Sequence, residues 1–191
     1  KAKDVLTFNI SNQTVIQSGA VINISSKNGD GGFVETSGKG LWMDGQVYGS
    51  AAGKTGLWLI DPNDVTIVNG TCGTTNMCST AGVFNTTGLT TSALGSITNR
   101  TIESALNNGL DVCVTTAGGP GTGGAMTINA NITRTCTTGT NTLTLFANTS
   151  MTFAAGVIIS QAVNGNGAKL NFNATAAGGT LTFNSNTINL Q

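Results

Sequence analysis

Apolar–polar–apolar triplets recur along this chain and limit what it can fold into. Met126-Thr127-Ile128, Met151-Thr152-Phe153, Leu181-Thr182-Phe183 and Ile188-Asn189-Leu190 are clear cases. Leu143-Thr144-Leu145-Phe146 and Leu170-Asn171-Phe172 alternate in the same way, as do Leu6, Phe8 and Ile10, then Ile22 and Ile24. A period of two is the signature of a strand with one buried face. Gly and Asn flank the triplets, as turns require. Strands this short are too small to hold a sandwich. They suit a solenoid, in which each coil adds a few residues to long parallel sheets and stacks on its neighbour. The rival, an antiparallel sandwich, needs tight hairpin turns. Asn28-Gly29 and Asn69-Gly70 sit instead at the ends of longer connections. The spacing predicts an all-β, parallel β-solenoid with coils of roughly 20–27 residues.

Two stretches depart from this pattern. Ile97 to Leu106 places Ile102, Ala105 and Leu106 on one face and stops at Asn108-Gly109, which predicts a short helix over 97–109. Residues 71–96 are rich in Cys, Thr and Gly with weak periodicity, and read as an insertion leaving the solenoid surface. The glycine-rich stretch 117–124 reads as a loop. The expected organisation is one continuous domain: solenoid coils over 1–70, the insertion, the helix, and coils again over 110–191. A start at Lys1 and an end within the strand pattern suggest a fragment of a larger protein.

Charge narrows the function. Charged residues make up 8% of the chain, with 8 Lys plus Arg against 8 Asp plus Glu. The basic residues are scattered, so neither nucleic acid nor an anionic membrane surface is an expected partner. No apolar run reaches the ~18–20 residues of a membrane-spanning helix, so no membrane insertion is expected. There is no His, which removes Ser–His and Cys–His nucleophilic machinery. No phosphate-binding or dinucleotide fingerprint appears, and no cofactor is expected. The four cysteines, Cys72, Cys78, Cys113 and Cys136, lack paired metal knuckles and predict two disulfides in an oxidising compartment rather than a metal site. Among the carboxylates, Asp61 and Asp64 are close in sequence, and Glu35 lies about one coil before Asp61. Turn chemistry accounts for the Asp pair, and a polysaccharide-cleaving site built on all three is a minor alternative. Thr127, Thr144, Thr152 and Thr182, mixed with Asn171 and Asn189, read as solvating an outer face.

Two segments are more specific: Gly31-Gly32-Phe33-Val34-Glu35-Thr36-Ser37-Gly38, and Thr55-Gly56-Leu57-Trp58-Leu59-Ile60-Asp61-Pro62-Asn63-Asp64-Val65-Thr66-Ile67. Their order and spacing resemble the large exoproteins of bacterial two-partner secretion, the filamentous-haemagglutinin-like and high-molecular-weight adhesins. Thr101 to Val112, followed by Met126 to Ile132, is similar to the stretch that follows in that family. The resemblance implies a right-handed parallel β-helix, export through a dedicated outer-membrane transporter, and a secreted or cell-surface location. It further implies attachment to a host-cell receptor or glycan. On physical grounds Gly56 to Ile60 reads as a strand covered on both faces, and Asp61 to Asp64 as a turn.

Four cysteines are unusual for that family. The close pair predicts Cys72–Cys78. The 23-residue interval, about one coil, predicts Cys113–Cys136. The irregular insertion supplies candidate binding residues Asn76, Met77, Phe84 and Asn85. Nine Asn-X-Ser/Thr sequons occur. Asn69, Asn85, Asn99 and Asn131 are candidate glycosylation sites, as some of those adhesins are modified on such residues. The leading expectation is an adhesin segment without enzymatic activity. A purely structural rod of a haemolysin or toxin-delivery stick is the alternative, and a polysaccharide-active β-helix the third.

Overall fold

A computed structural model describes residues 11–17, 19–43, 45–72, 78–79, 95–116, 123–162 and 167–190. The chain is a parallel β-solenoid with one short helix. Each coil visits three faces in turn. The first two coils are β1 (Gln13–Ile16), β2 (Val21–Asn23) and β3 (Phe33–Gly38), then β4 (Gly40–Met43), β5 (Gln46–Tyr48) and β6 (Gly56–Pro62). The third opens with β7 (Val65–Val68), leaves the solenoid through β8 (Thr71–Cys72) and β9 (Cys78–Ser79), and returns as β10 (Gly95–Thr98), α1 (Asn99–Asn107) and β11 (Leu110–Thr115). Regular coils follow: β12 (Met126–Ile128), β13 (Ile132–Arg134) and β14 (Thr140–Ala147); β15 (Met151–Phe153), β16 (Ile158–Gln161) and β17 (Lys169–Ala176); and β18 (Leu181–Phe183) with β19 (Thr187–Asn189).

The first face stacks in the order β1-β4-β10-β7-β12-β15-β18, and the third face in the order β3-β6-β11-β14-β17. Strands on these faces pair in parallel without slippage, so like residues form inward columns. On the first face Met43, Ile97, Ile67, Ile128, Phe153 and Phe183 share one column. On the third face Val34, Trp58, Val112, Leu143 and Phe172 share another. Full burial of each such side chain contributes about 1.5–3 kcal/mol. The triplets work as expected: their outer apolar residues enter these columns and their middle residue faces out. Thr66, Thr127, Thr152 and Thr182 form one outward row on the first face, whereas Thr144 lies on the third.

The two distinctive segments turn out to be neighbouring rungs, since β3 pairs with β6 from Phe33↔Leu57 to Gly38↔Pro62. Trp58 is fully buried and donates its indole N–H to Thr36 Oγ1 of the coil below at 3.0 Å. The glycines of these segments pack the corner between the second and third faces. A Cβ on Gly31 meets the Gly56 backbone, including its Cα at 2.7 Å, and one on Gly49 runs into the buried Leu110 side chain. Gly109, at φ +81°, lies against the Ser50 backbone.

Several expectations are corrected. Leu57 is 38% exposed and Leu59 half-buried, so β6 is apolar on both sides but covered only on the inner one. The helix is shorter than 97–109. Ile97 is a rung of β10, and Thr98 caps the helix by accepting the Thr101 N–H on its hydroxyl. The inserted stretch likewise ends before Gly95, whose strand belongs to the first face. Coil intervals run from 24 residues at Phe33↔Leu57 to 31 at Cys113↔Thr144. That longer interval defeats the Cys113–Cys136 staple. The rung partners of Cys113 are Leu59 and Thr144, and no disulfide joins it to Cys136. Cys72 and Cys78 are backbone partners across the antiparallel β8–β9 pair. Their side chains, residues 1–10 and most of 73–94 lie outside the described residues, as does 117–122 of the 117–124 loop.

One buried cation was missed. Arg134 is 1% exposed. Its guanidinium donates to Asn141 Oδ1, Gln161 Oε1 and the Thr138 carbonyl at 2.9, 2.7 and 2.7 Å, binding three segments of neighbouring coils. Burial lowers its pKa from the ordinary arginine value, and the ring of neutral acceptors replaces the lost water.

Gly31→Ala is expected to destabilise the fold by about 1–3 kcal/mol, because the added methyl meets backbone. Gly29→Ala, whose nearest neighbour is Ser26 Oγ at 3.6 Å, is the neutral control. Arg134→Ala, which strands several buried acceptors, is expected to cost about 3 kcal/mol or more. Urea midpoints of the variants, compared at constant slope, check both.

Candidate binding groove

The second face is where the solenoid changes character. β2 pairs with β5, and β13, β16 and β19 form a separate sheet, with α1 between the two groups. A helix about 10 Å wide fills roughly two strand spacings. It also leaves β5 and β13 with edges that no backbone ladder can satisfy. Side chains do so instead. Towards β13, Glu103 Oε1 accepts the Thr133 N–H at 2.9 Å. One turn on, Asn107 Oδ1 accepts the Thr135 and Cys136 N–H groups at 2.8 and 2.9 Å. Towards β4 and β5, Thr101 Oγ1 donates to the Met43 carbonyl at 3.4 Å and Asn108 Nδ2 to the Val47 carbonyl at 3.3 Å. Ile102, Ala105 and Leu106, 0–1% exposed, anchor the helix in the core.

Beside the first turns of α1, at the corner between the first and second faces, lies a polar groove of about 530 Å³. Corner residues of successive coils line one wall, among them Asn69, Asn129, Asn131 and Gly156. Arg100 and Glu103 of α1 line the other, joined by an ion pair at 2.9 Å. The Arg100 side chain is 49% exposed, whereas that of Glu103 is 8% exposed. Burial raises the Glu103 pKa from its ordinary 4.5, and the Thr133 N–H and Arg100 offset part of that rise. Asn131 Oδ1 is held by the Ile158 N–H at 2.8 Å. The wall therefore offers amide groups and a guanidinium fork, which suit hydroxyl- and carbonyl-bearing ligands.

The sequence-predicted sites fare unevenly. Asn76, Met77, Phe84 and Asn85 lie outside the described residues. Glu35 does not stack on Asp61: its rung partner is Leu59, while Asp61 pairs with Ser37. Glu35 accepts a hydrogen bond from the Ser37 hydroxyl. Asp64 Oδ1 accepts the Gly124 and Ala125 N–H groups at 2.8 and 2.9 Å, a turn role that ties two coils together. Asp61 lies near Cys113, whose thiol pKa is raised first by burial and then by that negative charge. Of the sequons, Asn69 and Asn131 are exposed. Asn99 is not a usable acceptor in the folded chain. It is 4% exposed, accepts the Gly70 N–H and donates to the Asn131 carbonyl at 2.7 Å.

Among the described residues, no cluster of three or more His, Cys, Asp or Glu is placed to hold a metal ion, and no helix is long and apolar enough to cross a membrane. No protein-family model matches the chain, and no curated protein matches it significantly.

Glu103 generates a pH prediction. Its folded pKa lies above the unfolded value, so its contribution to stability is complete below pH 4.5 and is lost as pH rises through the folded pKa. Glu103→Gln, which can still accept the Thr133 N–H, is expected to flatten the melting temperature–pH profile above pH 4.5. A profile with the wild-type slope in that variant assigns the pH dependence to other groups.

Proposed function

We propose that this chain is a segment of a secreted or surface-exposed bacterial adhesin that attaches to host-cell glycans through the groove beside α1. The observation that carries the reading is the groove itself: a concave, amide-lined site with a half-exposed guanidinium, set on a rigid scaffold. Planar amide and guanidinium groups match the paired hydroxyls of sugars, and a preformed wall spares the ligand much of the ordering cost. The likeness of Gly31–Gly38 and Thr55–Ile67 to two-partner-secretion exoproteins supports the same reading. It brings with it an outer-membrane transporter as partner of the parent protein. The role is one of binding without catalysis, because Asp64 is committed to a turn and Glu35 and Asp61 occupy different rows.

A structural rod is the second reading, and the coils after α1 favour it. The third-face outward rows there carry Thr142 and Asn171, and Thr144 and Asn173, in simple register, with the triplet cores unbroken. On that reading the chain spaces other parts of the parent protein and binds nothing.

Purified chain applied to a glycan array and to epithelial cells separates the two. The adhesin reading expects retained glycans, and at least a tenfold loss of binding in the double variant Arg100→Ala/Asn129→Ala with an unchanged melting temperature. Retention unaffected by the double variant removes the groove as the site. No retention of any glycan or cell by the wild-type chain leaves the rod.

A further inference from the structure

The third and first faces disagree about how many rungs the chain has laid down. β3 and β6 are adjacent on the third face, at an interval of 24 residues from Phe33 to Leu57. The next strands, β4 and β7, repeat that interval, since Met43 and Ile67 are also 24 apart. Yet they are not adjacent. β10 lies between them, with Ile97 paired to Met43 on one side and to Ile67 on the other. Each third-face strand from β3 to β17 leads into one strand of the first face, and β10 is the supernumerary one. The chain climbs past an empty level on the way into β7, travels out through β8 and β9, and comes back to fill that level from below.

The fit of β10 carries marks of insertion. Its first residue must be very small, because a Cβ on Gly95 meets the Asp64 carbonyl oxygen at 2.7 Å and the Pro62 ring at 2.8 Å. All three strands share one register, so β7 can settle onto β4 with Ile67 over Met43 and no side chain changing face. The helix that follows β10 meets β13 through the Glu103 and Asn107 side chains rather than a backbone ladder.

We infer that β10 and α1 form a spliced-in half-coil, a plug carrying the groove, and that the coils on either side are pre-matched to close without it. The solenoid then has two self-consistent stackings, with β10 between β4 and β7 or with β7 directly on β4. The inference concerns the scaffold and holds whatever the groove binds.

The test replaces residues 68–109 by a copy of residues 44–55, the stretch that carries the preceding coil from β4 to β6. Leu110 then follows Gly56 by the same 24 positions that separate Phe33 from Leu57. Trp42→Cys and Thr66→Cys are placed in this chain and in the full-length chain, with the remaining native cysteines changed to Ser. In the full-length chain Ser96 lies between the two positions, which puts them about 9–10 Å apart, beyond disulfide reach. In the replaced chain they are adjacent, at about 4.8 Å. The expected result is a strand-rich circular dichroism spectrum for both chains, and a disulfide between positions 42 and 66 under mild oxidation in the replaced chain alone. Thr127→Cys/Thr152→Cys, on adjacent rungs, is the positive control for bond formation. A replaced chain that loses its strand signal, or folds without the disulfide, overturns the inference. So does a full-length chain that cross-links equally well.

Discussion

Everything in this structure follows from the hydrogen-bonding demand of a parallel strand edge. Each rung exposes a row of N–H and C=O groups that only the next rung can satisfy at backbone geometry. Where coils are regular, the demand is met rung on rung and the side chains fall into columns without further instruction. At the corners the chain turns, and short polar side chains take over. Asn186 Nδ2 reaches the Ala154 carbonyl at 2.7 Å and Asn131 Oδ1 takes the Ile158 N–H. The abundance of Asn in a chain nearly without charge has this physical basis. A neutral amide donates and accepts at a corner without the desolvation cost of an ion.

The helix is the hardest case of the same demand. Inserted between β5 and β13, it satisfies its own backbone and offers none to its neighbours. Glu103, Asn107, Thr101 and Asn108 supply the missing donors and acceptors. The groove is a by-product of that substitution, because a helix does not follow the flat surface that strands would make. The charged residues at the groove are thus partly structural: Glu103 holds β13, and Arg100 balances it while keeping half its surface in water.

Tight corners impose a second constraint. Gly31, Gly49 and Gly56 bring backbones of adjacent coils into contact, and the distinctive glycines of the Gly31–Gly38 segment are explained by that approach. The third face, one rung shorter than the first across α1, borders the same crowded corner. The Trp58–Thr36 bond then fixes the register of β6 on β3.

Period-two alternation determined the solenoid by itself, because a triplet with one buried face and a flanking turn has few other stable uses. Asn108-Gly109 determined where the helix stops, and Asp64 declared a turn through local chemistry. Tertiary structure alone decided the rest. Column partners depend on coil length, and a length that drifts from 24 to 31 residues carries Cys113 to Thr144 and not to Cys136. Nothing local marks Arg134 as buried, since its acceptors arrive from Asn141 and from Gln161 a coil later. Nor does local pattern show that β10 enters beneath β7. That order is set by which strand edges remain open when the chain returns, a property of the stacked coils and not of any segment within them.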